Sequence, residues 1–351
     1  MKLSDFDYYL PKNLIAQQPQ KPRDHSRLLL LNKKTGQIEH KKFYNIVDYL
    51  KKGDVLVLNN SKVFPARLIG RRKGTGGKIE IFLHKKIKGS SWECLVGGSR
   101  KREGLEVLFG KGLEGVLFKN NKDGTWLVKF NKPWDKMIKI IEKIGHTPLP
   151  PYIKRKNYSL AADQKNYQTV YADSKKVGSV AAPTAGFHFT PGLVKKLKAK
   201  GVQFEYITLH VGLGTFAPVK VDNIKKHKMH SEFVEIKKEV ARRIIGAKKE
   251  GKRIIAVGTT SARTLEGCLK KDFKKPFSQI INYKLQIKNF IYPGYKFKIV
   301  DAMITNFHLP KSTLLMLVMA LAGGKRIKAA YRQAIDKKYC FYSYGDAMLI
   351  F

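Results

Sequence analysis

Apolar positions along much of the chain recur with the spacing of helices and strands in alternation. Short apolar runs of strand type lie at Val55–Leu58, Val202–His210, Arg253–Val257 and Phe297–Thr305. Segments with helical spacing lie at Phe43–Leu50, Pro191–Gly201, Lys237–Gly251 and Ser312–Gly323. Because alternating helices and strands are typical of sheets covered by helices, this pattern predicts an α/β domain with a mostly parallel sheet.

Between residues 70 and 131 the pattern changes to short β-like runs separated by Gly, Lys and Asn turns. Runs such as KIEIFLH, SWECLVGG and TWLVKF recur roughly every 8–12 residues, which favours a small antiparallel sheet or barrel. We therefore expect a smaller, inserted antiparallel β-barrel-like domain at 70–145. The major α/β domain would then consist of 1–69 and 146–351. The sequence alone also permits a linear arrangement of the same pieces.

The chain is strongly basic. Its 351 residues include 69 Lys and Arg against 27 Asp and Glu, a formal net charge of +42. Such a field attracts polyanions, nucleic acids above all. However, 55 of the basic residues are Lys, and a lysine excess on every surface is also what an A/T-rich genome produces. The charge therefore admits an RNA partner without identifying one.

The sequence indicates neither a membrane span nor secretion. The longest apolar run, Leu314–Ala322, has nine residues, whereas a span needs about 20. The N-terminal sequence MKLSDFDYYLP lacks the apolar core of a signal peptide. Three cysteines far apart in sequence argue against a disulfide framework and a cysteine-built zinc site. We expect a cytoplasmic protein.

Six polar, glycine-punctuated stretches lie beside the predicted elements, and such loops often carry binding and catalytic residues. They are residues 59–67, 181–190, 208–219, 257–263, 305–313 and 341–348. One of them, from Gly212 to Ala217, formally fits the G-x-G-x-x-A pattern of a dinucleotide site. Pro218 follows where that site needs a helix, so close approach of another ligand, or a tight turn, explains the glycines better.

Three loop histidines, His188, His210 and His308, are candidates for proton transfer because imidazole titrates near neutrality. A loop histidine is also commonly a surface hydrogen-bonding residue. His227 and His230 have the spacing of half a metal site, but the remaining ligands of such a site are missing from the motif.

Polar groups after the predicted strand Arg253–Val257 form a candidate anion site. The hydroxyls of Thr259 and Thr260, together with the Arg263 guanidinium, could hold a carboxylate or phosphate. A Ser or Thr there could equally cap the following helix. Asp301 and Asp346 are candidate carboxylates for hydroxyl recognition or proton transfer, or else capping or ion-paired acids.

Taken together, these stretches resemble the S-adenosylmethionine:tRNA ribosyltransferase-isomerase family of queuosine biosynthesis. The similarity runs in order along nearly the whole chain, through FDYYLPKNLIAQQP (6–19), RDHSRLLLL (23–31), GDVLVLNNSKVFPARL (53–68), GHTPLPPYIKR (145–155), VAAPTAGFHFT (180–190), TLHVGLGTFAPV (208–219), HKMHSE (227–232), VGTTSARTLE (257–266), IYPGYKFKIVDAMITNFHLPKSTLLMLVMALAG (291–323) and SYGDAML (343–349). Departures are few: Asn60 stands where the family commonly has Asp, Lys62 where Arg is common, and Cys340 at a frequent Arg position.

The resemblance implies an enzyme that transfers and isomerises the ribosyl group of S-adenosylmethionine (SAM). The acceptor would be 7-aminomethyl-7-deazaguanine at the wobble position of a tRNA with a GUN anticodon. The product would be epoxyqueuosine-tRNA, with release of adenine and methionine. The resemblance also implies an α/β domain with a smaller β-barrel domain, a monomer with no obligate protein partner, no metal and no cofactor, because SAM is a consumed substrate.

Within the matching motifs, the demands of this reaction suggest three groups of residues. General acid–base candidates are His188, His210, His308 and Asp346. Substrate-binding candidates are Thr184, Phe187, Gly212, Gly214, Thr215, Thr259, Thr260, Arg263, Asp301, Asn306 and Tyr344. Phe187 and Tyr344 would hold the sulfonium on aromatic faces, and Arg263 the methionine carboxylate. Candidate tRNA contacts are Arg67, Arg71, Arg72, Lys154 and Arg155, although a generic basic surface would have the same composition.

Three other functions stay open at this point. A SAM-dependent RNA methyltransferase would normally carry a glycine-rich turn leading into a helix after its first strand, and that feature is missing. A metal-dependent hydrolase would use His227, His230 and a carboxylate. A non-enzymatic RNA-binding protein would explain the charge but not the polar loops that follow strand after strand.

Overall fold

The computed structural model describes residues 1–155, 159–212, 219 and 221–351. The chain divides into two compact units. The major unit consists of Met1–Lys62, Pro151–Lys154 and Gln168–Phe351, and the smaller unit of Val63–Pro150 and Arg155–Tyr167.

The strands are β1 Arg27–Leu31, β2 Ile38–Lys42, β3 Val55–Asn59, β4 Lys62–Val63, β5 Arg67–Arg72, β6 Lys78–Lys88, β7 Ser91–Gly97, β8 Leu105–Gly110, β9 Leu113–Asn120, β10 Thr125–Phe130, β11 Val177–Ser179, β12 Gln203–Leu209, β13 Glu232–Ile236, β14 Ile254–Val257, β15 Tyr283–Ile287, β16 Ala302–Asn306 and β17 Ala347–Ile350. The helices are α1 Ile46–Tyr49, α2 Trp134–Ile144, α3 Leu160–Asn166, α4 Pro191–Ala199, α5 Lys238–Lys249, α6 Thr259–Cys268, α7 Thr313–Ala322 and α8 Gly324–Asp336.

Nine described strands of the major unit form one sheet, in the order β15-β13-β12-β3-β14-β16-β17-β1-β2. Its central strands β12, β3, β14 and β16 run parallel to one another, and β17 runs parallel to β1. The remaining neighbours pair antiparallel. The predicted α/β fold is therefore confirmed, with a mixed sheet whose longest parallel run lies at its centre.

Side chains alternate between the two faces of this sheet, as the two-residue period of a strand requires. On one face, here called the α4 face, Leu56, Ile255 and Ile304 pack in a cluster that includes Leu193 of α4. On the other, here called the α5–α8 face, the alternate strand residues pack with α5, α6, α7 and α8. Counting along a strand therefore assigns each of its residues to one face.

The smaller unit contains a closed antiparallel barrel with the strand order β10-β7-β6-β5-β8-β9. Buried and exposed residues alternate strictly along β8, which is the pattern of a barrel wall filled on one side. Gly70 of β5 lies so close to β8 that a Cβ there would be 2.7 Å from Val107 Cγ1. The predicted antiparallel barrel is confirmed. Its strand β5 begins at Arg67, ahead of the limit of 70 expected from sequence.

Two predicted elements are shorter than the sequence pattern indicated. The helix expected over Phe43–Leu50 is a 3-10 turn, Phe43–Asn45, followed by the single turn of α1. The strand expected from Phe297 begins only at Ala302. The N–H groups of 298–300 donate to the buried carboxylate of Glu266 on α6, so they cannot join a strand ladder.

Within the described part of the chain, no helix is long and apolar enough to cross a membrane. The most apolar helix, α7, has ten residues, which span about 15 Å. The hydrocarbon core of a bilayer is about 30 Å thick. The burial of α7 against the sheet explains its apolar surface instead.

We expect Glu266→Gln to lower the free energy of unfolding by about 2 kcal/mol, the loss typical of buried hydrogen bonds to a charged group. Glu266 Oε1 accepts the N–H groups of Ile299 at 2.8 Å and Val300 at 3.0 Å, and Oε2 accepts the Tyr295 hydroxyl at 3.0 Å. The Gln amide is neutral, unlike the Glu carboxylate, and it would direct an NH₂ group at these N–H and O–H donors. Urea unfolding followed by circular dichroism measures the change.

The matched control is Glu250→Gln, because the Glu250 side chain is 62% exposed and pairs with Lys252 at the surface. This control should leave the unfolding midpoint close to that of the wild type. Equal midpoints for the two variants would contradict the role given to Glu266.

Candidate active site

The carboxyl ends of the central parallel strands gather the predicted functional loops at one edge of the major sheet. Because β12, β3, β14 and β16 point the same way, they end together, at Leu209, Asn59, Val257 and Asn306. Antiparallel β17 starts at this edge, with Ala347 opposite Asn306, and parallel β1 starts beside it. Ligands of open α/β sheets bind outside such carboxyl ends.

A chain of hydrogen bonds on the α4 face centres on the buried ring of His188. Its Nδ1 lies 2.7 Å from Ser26 Oγ, and its Nε2 lies 3.1 Å from Asn306 Nδ2. The Thr184 hydroxyl donates to Asn306 Oδ1 at 3.0 Å. Four residues from three separate motifs thus form one polar cluster, because β16, β1 and the turn Thr184–His188 meet at this edge.

Burial makes the His188 ring neutral, and these hydrogen bonds decide which ring nitrogen carries the proton. Burial, with a smaller contribution from the charge of Arg23, lowers the pKa of His188 to about 3, so the ring is neutral near pH 7. A neutral imidazole carries one N–H. Since the Asn306 amide donates to Nε2, the ring proton is on Nδ1 and donates to Ser26. Both ring nitrogens of His188 are therefore engaged.

Aromatic and cationic side chains lie beside His188. The rings of Phe187 and Tyr344 stack with centroids 5.8 Å apart, and the Arg23 guanidinium lies 5.2 Å from the Phe187 centroid. Arg23 also donates to the Gln168 carbonyl at 2.6 Å. Phe187 is thus already in contact with one cation, and Tyr344 shares the small cleft that Ser26 and His188 line.

His210, which follows β12, is on the same face and carries a free ring nitrogen. Its neighbours Leu209 and Val211 belong to the α5–α8 core, so the two-residue period directs His210 to the α4 face. Its ring stacks on Phe233 with centroids 5.9 Å apart. Nδ1 is buried without a hydrogen-bond partner among the described residues. Burial and the nearby charge of Lys176 lower the pKa of His210, and Glu235 opposes this effect.

Helix α6 starts at the same edge, directly after β14. Gly258 precedes it with φ +89°, and neither Thr259 nor Thr260 caps it through a side chain. The alternative that these hydroxyls are ordinary helix caps is therefore wrong, because glycine occupies the cap position. Thr260 Oγ1 is buried without a hydrogen-bond partner in the described structure, which leaves it free to contact a ligand.

Arg263 of α6 forms a buried ion pair with Glu232, a residue that the sequence reasoning missed. Glu232 accepts Arg263 Nη1 and also lies 3.4 Å from the Gly212 amide nitrogen. Arg263 Nη2 is buried and has no hydrogen-bond partner in the described part of the chain. The negative charge of Glu232 neutralises the Arg263 guanidinium. A carboxylate ligand would therefore gain a hydrogen bond from Nη2 but no net attraction to a positive charge. Glu232 lies in the motif HKMHSE and Ser26 lies in the motif RDHSRLLLL, so membership of a family motif was the sequence feature that could have indicated each residue.

The described hydrogen bonds of His308 and Asp346 are to other residues than those of the His188 cluster. His308 Nε2 is 2.8 Å from Thr305 Oγ1, and burial lowers the pKa of His308 to about 3. Asp346 accepts the backbone N–H groups of Arg27 and Cys340, both at 2.7 Å. Both oxygens of Asp346 thus hold the loop before β17 in place.

Asp301 is not at this edge. It precedes β16, whereas Asn306 ends that strand, and its Oδ2 accepts the N–H of Ile254 at the start of β14 at 2.9 Å. Its other oxygen pairs with Lys248. Parallel strands place their amino ends together, so Asp301 lies at the opposite edge from His188. Gly214 and Thr215 lie outside the described residues.

No three side chains of His, Cys, Asp or Glu come together as a metal site within the described ranges. The ring of His227 meets Phe290 edge-on, with centroids 5.4 Å apart. The half-site suggested by His227 and His230 therefore gains no further ligand from the described fold. The expected absence of a metal from the reaction stays a prediction.

The candidate tRNA contacts differ in their exposure and in the partners of their side chains. Arg67 pairs with Glu80 at 3.4 Å, and Arg155 pairs with Asp163 at 3.0 Å with a side chain only 8% exposed. Arg71 and Lys154 are exposed. Arg71 and Arg72 each donate one N–H to a backbone carbonyl, of Gly76 and Ser99 respectively.

The two buried imidazoles predict a pH-dependent stability. In the folded protein His188 and His308 stay neutral to about pH 3, whereas in the unfolded chain they take up a proton near pH 6.5. The unfolded state thus binds more protons below pH 6.5, and stability falls as the pH falls. Each histidine should contribute about 2 kcal/mol to the loss between pH 8 and pH 5. Urea unfolding of wild type and His308→Gln across this range should give a shallower pH dependence for the variant; parallel curves would contradict the assignment.

Comparisons with known proteins identify the family of this chain. A family model described as queuosine biosynthesis protein matches residues 3–350. The S-adenosylmethionine:tRNA ribosyltransferase-isomerases of Thermotoga maritima and Thermotoga petrophila are each 51% identical to this chain over 351 residues, which is 100% of both sequences in each comparison.

A solved crystal structure is also similar, that of an S-adenosylmethionine tRNA ribosyltransferase from Thermotoga maritima. It is 40% identical, covers 99% of this chain and 100% of its own, and has a TM-score of 0.56. Since the family model and the curated relatives match over essentially the whole length, the chain belongs to the S-adenosylmethionine:tRNA ribosyltransferase-isomerase family of queuosine biosynthesis enzymes.

Proposed function

We propose that this enzyme transfers the ribosyl group of SAM to 7-aminomethyl-7-deazaguanine at the wobble position of a GUN-anticodon tRNA. The sugar is rearranged in the same reaction, so that the product is epoxyqueuosine-tRNA and adenine and methionine leave. SAM is consumed, and no metal or further cofactor takes part. The observation that carries the proposal is the convergence of distant family motifs at one edge of the major sheet, seen in the Ser26–His188–Asn306–Thr184 chain.

The reaction needs groups that are neutral and positioned at neutral pH. The aminomethyl nitrogen must lose its proton before it attacks, and the sugar must lose the carbon proton next to the sulfonium. A base for either step has to hold a free lone pair. His210 meets that condition best, because burial keeps its pKa low and its Nδ1 has no partner in the described structure.

His188 is better suited to positioning than to proton transfer in the free enzyme. Its two nitrogens are occupied by Ser26 and Asn306, and a proton would have to displace the Asn306 amide. The Asn306 and Thr184 side chains beside it are polar groups of the kind that ribose hydroxyls require. Thr260 Oγ1 and Arg263 Nη2 supply further unpartnered hydrogen-bonding atoms at the start of α6.

The tRNA is held by the basic surface in this proposal. A net charge of +42 gives salt-dependent, sequence-independent affinity for RNA. Arg71 and Arg72 are the stronger candidates among the predicted arginine contacts, because Arg67 and Arg155 already pair with carboxylates, and Lys154 is an exposed candidate. A tRNA substrate also fits the cytoplasmic location expected from the sequence.

The direct test incubates the purified enzyme with SAM and a tRNA that carries the aminomethyl-deazaguanine base, in the presence of EDTA. Chromatography should detect adenine and methionine, and mass spectrometry of the digested tRNA should detect the matching gain on the wobble nucleoside. S-adenosylhomocysteine with a methyl-sized gain would instead identify a methyltransferase. A folded sample that binds tRNA and leaves SAM intact would favour a non-enzymatic RNA-binding protein.

We expect His210→Gln to lower kcat about 10²-fold, as the loss of a general acid or base typically does. The thermal unfolding midpoint should change little, because the described structure gives Nδ1 no hydrogen bond to lose. The acid limb of the pH–rate profile should also disappear. Single-turnover release of adenine measures the rate.

A suitable control for this variant is His40→Gln. His40 lies on the edge strand β2, and its ring nitrogens contact the Tyr339 hydroxyl at 2.8 Å and Gln333 at 3.2 Å. Turnover of this control should stay near the wild-type rate. Wild-type turnover in His210→Gln would remove His210 from the catalytic assignment without affecting the reaction assigned to the enzyme.

A further inference from the structure

A second pocket opens at the amino-terminal edge of the major sheet, opposite the candidate active site. Its volume is about 400 Å³, and the residues that precede β14 and β16, Arg253 and Asp301, contribute to its wall. Strand β16 is five residues long, so this edge is about 16 Å from the His188 cluster. A ligand in this pocket is therefore distinct from a group reacting beside His188.

The lining of this pocket is dominated by cations. Its basic residues are Lys33, Lys34, Lys248, Lys252 and Arg253, and Asp301 is the acid among its described lining residues. Two of these cations form ion pairs with acids that do not line the pocket: Arg253 pairs with Asp54 at 2.5 Å, and Lys252 pairs with Glu250 at 2.7 Å. Three ammonium groups, those of Lys33, Lys34 and Lys248, therefore remain around one carboxylate.

Asp301 cannot satisfy these three ammonium groups. One carboxylate oxygen of Asp301 accepts a hydrogen bond from the Lys248 ammonium, and the other accepts one from the Ile254 N–H. The backbone carbonyl of Asp301 accepts a hydrogen bond from the Lys33 ammonium. Each ammonium has three N–H donors, so donors remain unmatched. Burial lowers the pKa of Lys33; Asp301 opposes this, and the charges of Lys248 and Lys34 add to the lowering. The cations repel one another across the pocket.

We propose that this cluster, Lys33, Lys34 and Lys248 around Asp301, binds an oxyanion with two or more negative charges, of the phosphate or oligophosphate class. A bound anion removes the repulsion between the ammonium groups and accepts their remaining N–H donors. Lysine ammonium groups act on phosphate oxygens as compact point charges. The volume is ample for two linked phosphoryl groups. The phosphates could belong to an RNA backbone or to a free oligophosphate.

Isothermal titration of the full-length protein with pyrophosphate at low salt tests the site. Lys248→Gln should weaken binding about tenfold, the effect of losing a hydrogen bond between charged groups. The matched control is Lys249→Gln, at the neighbouring position on α5, which removes the same charge. In the wild type the Lys249 ammonium lies outside the pocket, 4.9 Å from the centroid of the Phe277 ring. The control should keep the wild-type affinity.

Equal weakening in both variants would show that pyrophosphate responds to the overall charge of the chain, and would overturn the proposal. Absence of binding to the wild type would overturn it as well. Asp301→Asn is a variant for which we expect the opposite change in pyrophosphate affinity. It removes the one negative charge of the cluster while keeping an oxygen that can accept the Ile254 N–H, so binding should tighten. Damage to the fold cannot produce tighter binding.

A second measurement distinguishes the two sources of phosphate. If an RNA backbone occupies the pocket, Lys248→Gln should weaken tRNA binding relative to Lys249→Gln, and pyrophosphate should compete with tRNA. If a free oligophosphate is the ligand, the two variants should bind tRNA alike while differing for pyrophosphate. The titration contains neither SAM nor tRNA, so its result does not depend on the reaction proposed above.

Discussion

The parallel alignment of β12, β3, β14 and β16 is the constraint on which the candidate site depends. Parallel strands must all end at one edge, and polar loops that are up to 250 residues apart in sequence are thereby brought together. The antiparallel return of β17 adds the loop before Ala347 to the same edge, and β1 adds Ser26. Backbone hydrogen bonds between the strands hold this assembly together.

Desolvation then determines the chemistry available at that edge. His188 and His308 are buried, and their pKa values fall to about 3 because the charged form loses its hydration. Neutral imidazoles are suited to accept or donate hydrogen bonds at fixed positions. His210 has a buried Nδ1 without a hydrogen-bond partner in the described structure, which leaves that nitrogen for a reacting group, whereas both ring nitrogens of His188 are engaged. Burial thus separates residues of the same type into different roles.

The scarcity of acids gives each buried carboxylate a structural task. Glu266 gathers the N–H groups of 298–300, Asp346 holds the loop before β17, and Glu232 neutralises Arg263. With 27 acids against 69 bases, few carboxylates are left to neutralise lysines. The unbalanced cluster at the amino-terminal edge is a local result of this composition. The two edges of the sheet consequently differ: one offers neutral, positioned polar groups, and the other offers uncompensated positive charge.

The sequence by itself determined the fold class, the barrel and the family, because periodicity and motif order are properties of the chain; it also predicted the loops that would carry function. Three of its candidates, Thr184, His188 and Asn306, form one hydrogen-bonded cluster in the fold, and their roles stay predictions. It could not give the partners of these residues, so His308 and Asp346, grouped with His188 as acid–base candidates, have hydrogen-bond partners that only the fold reveals. Asp301 lies at the opposite edge of the sheet from Asn306, because a motif does not say which end of a strand it marks. The partners of Arg263 and Asp346 were also decided only by the tertiary structure, because a side chain's hydrogen bonds depend on neighbours brought close by packing, and sequence separation does not encode that proximity.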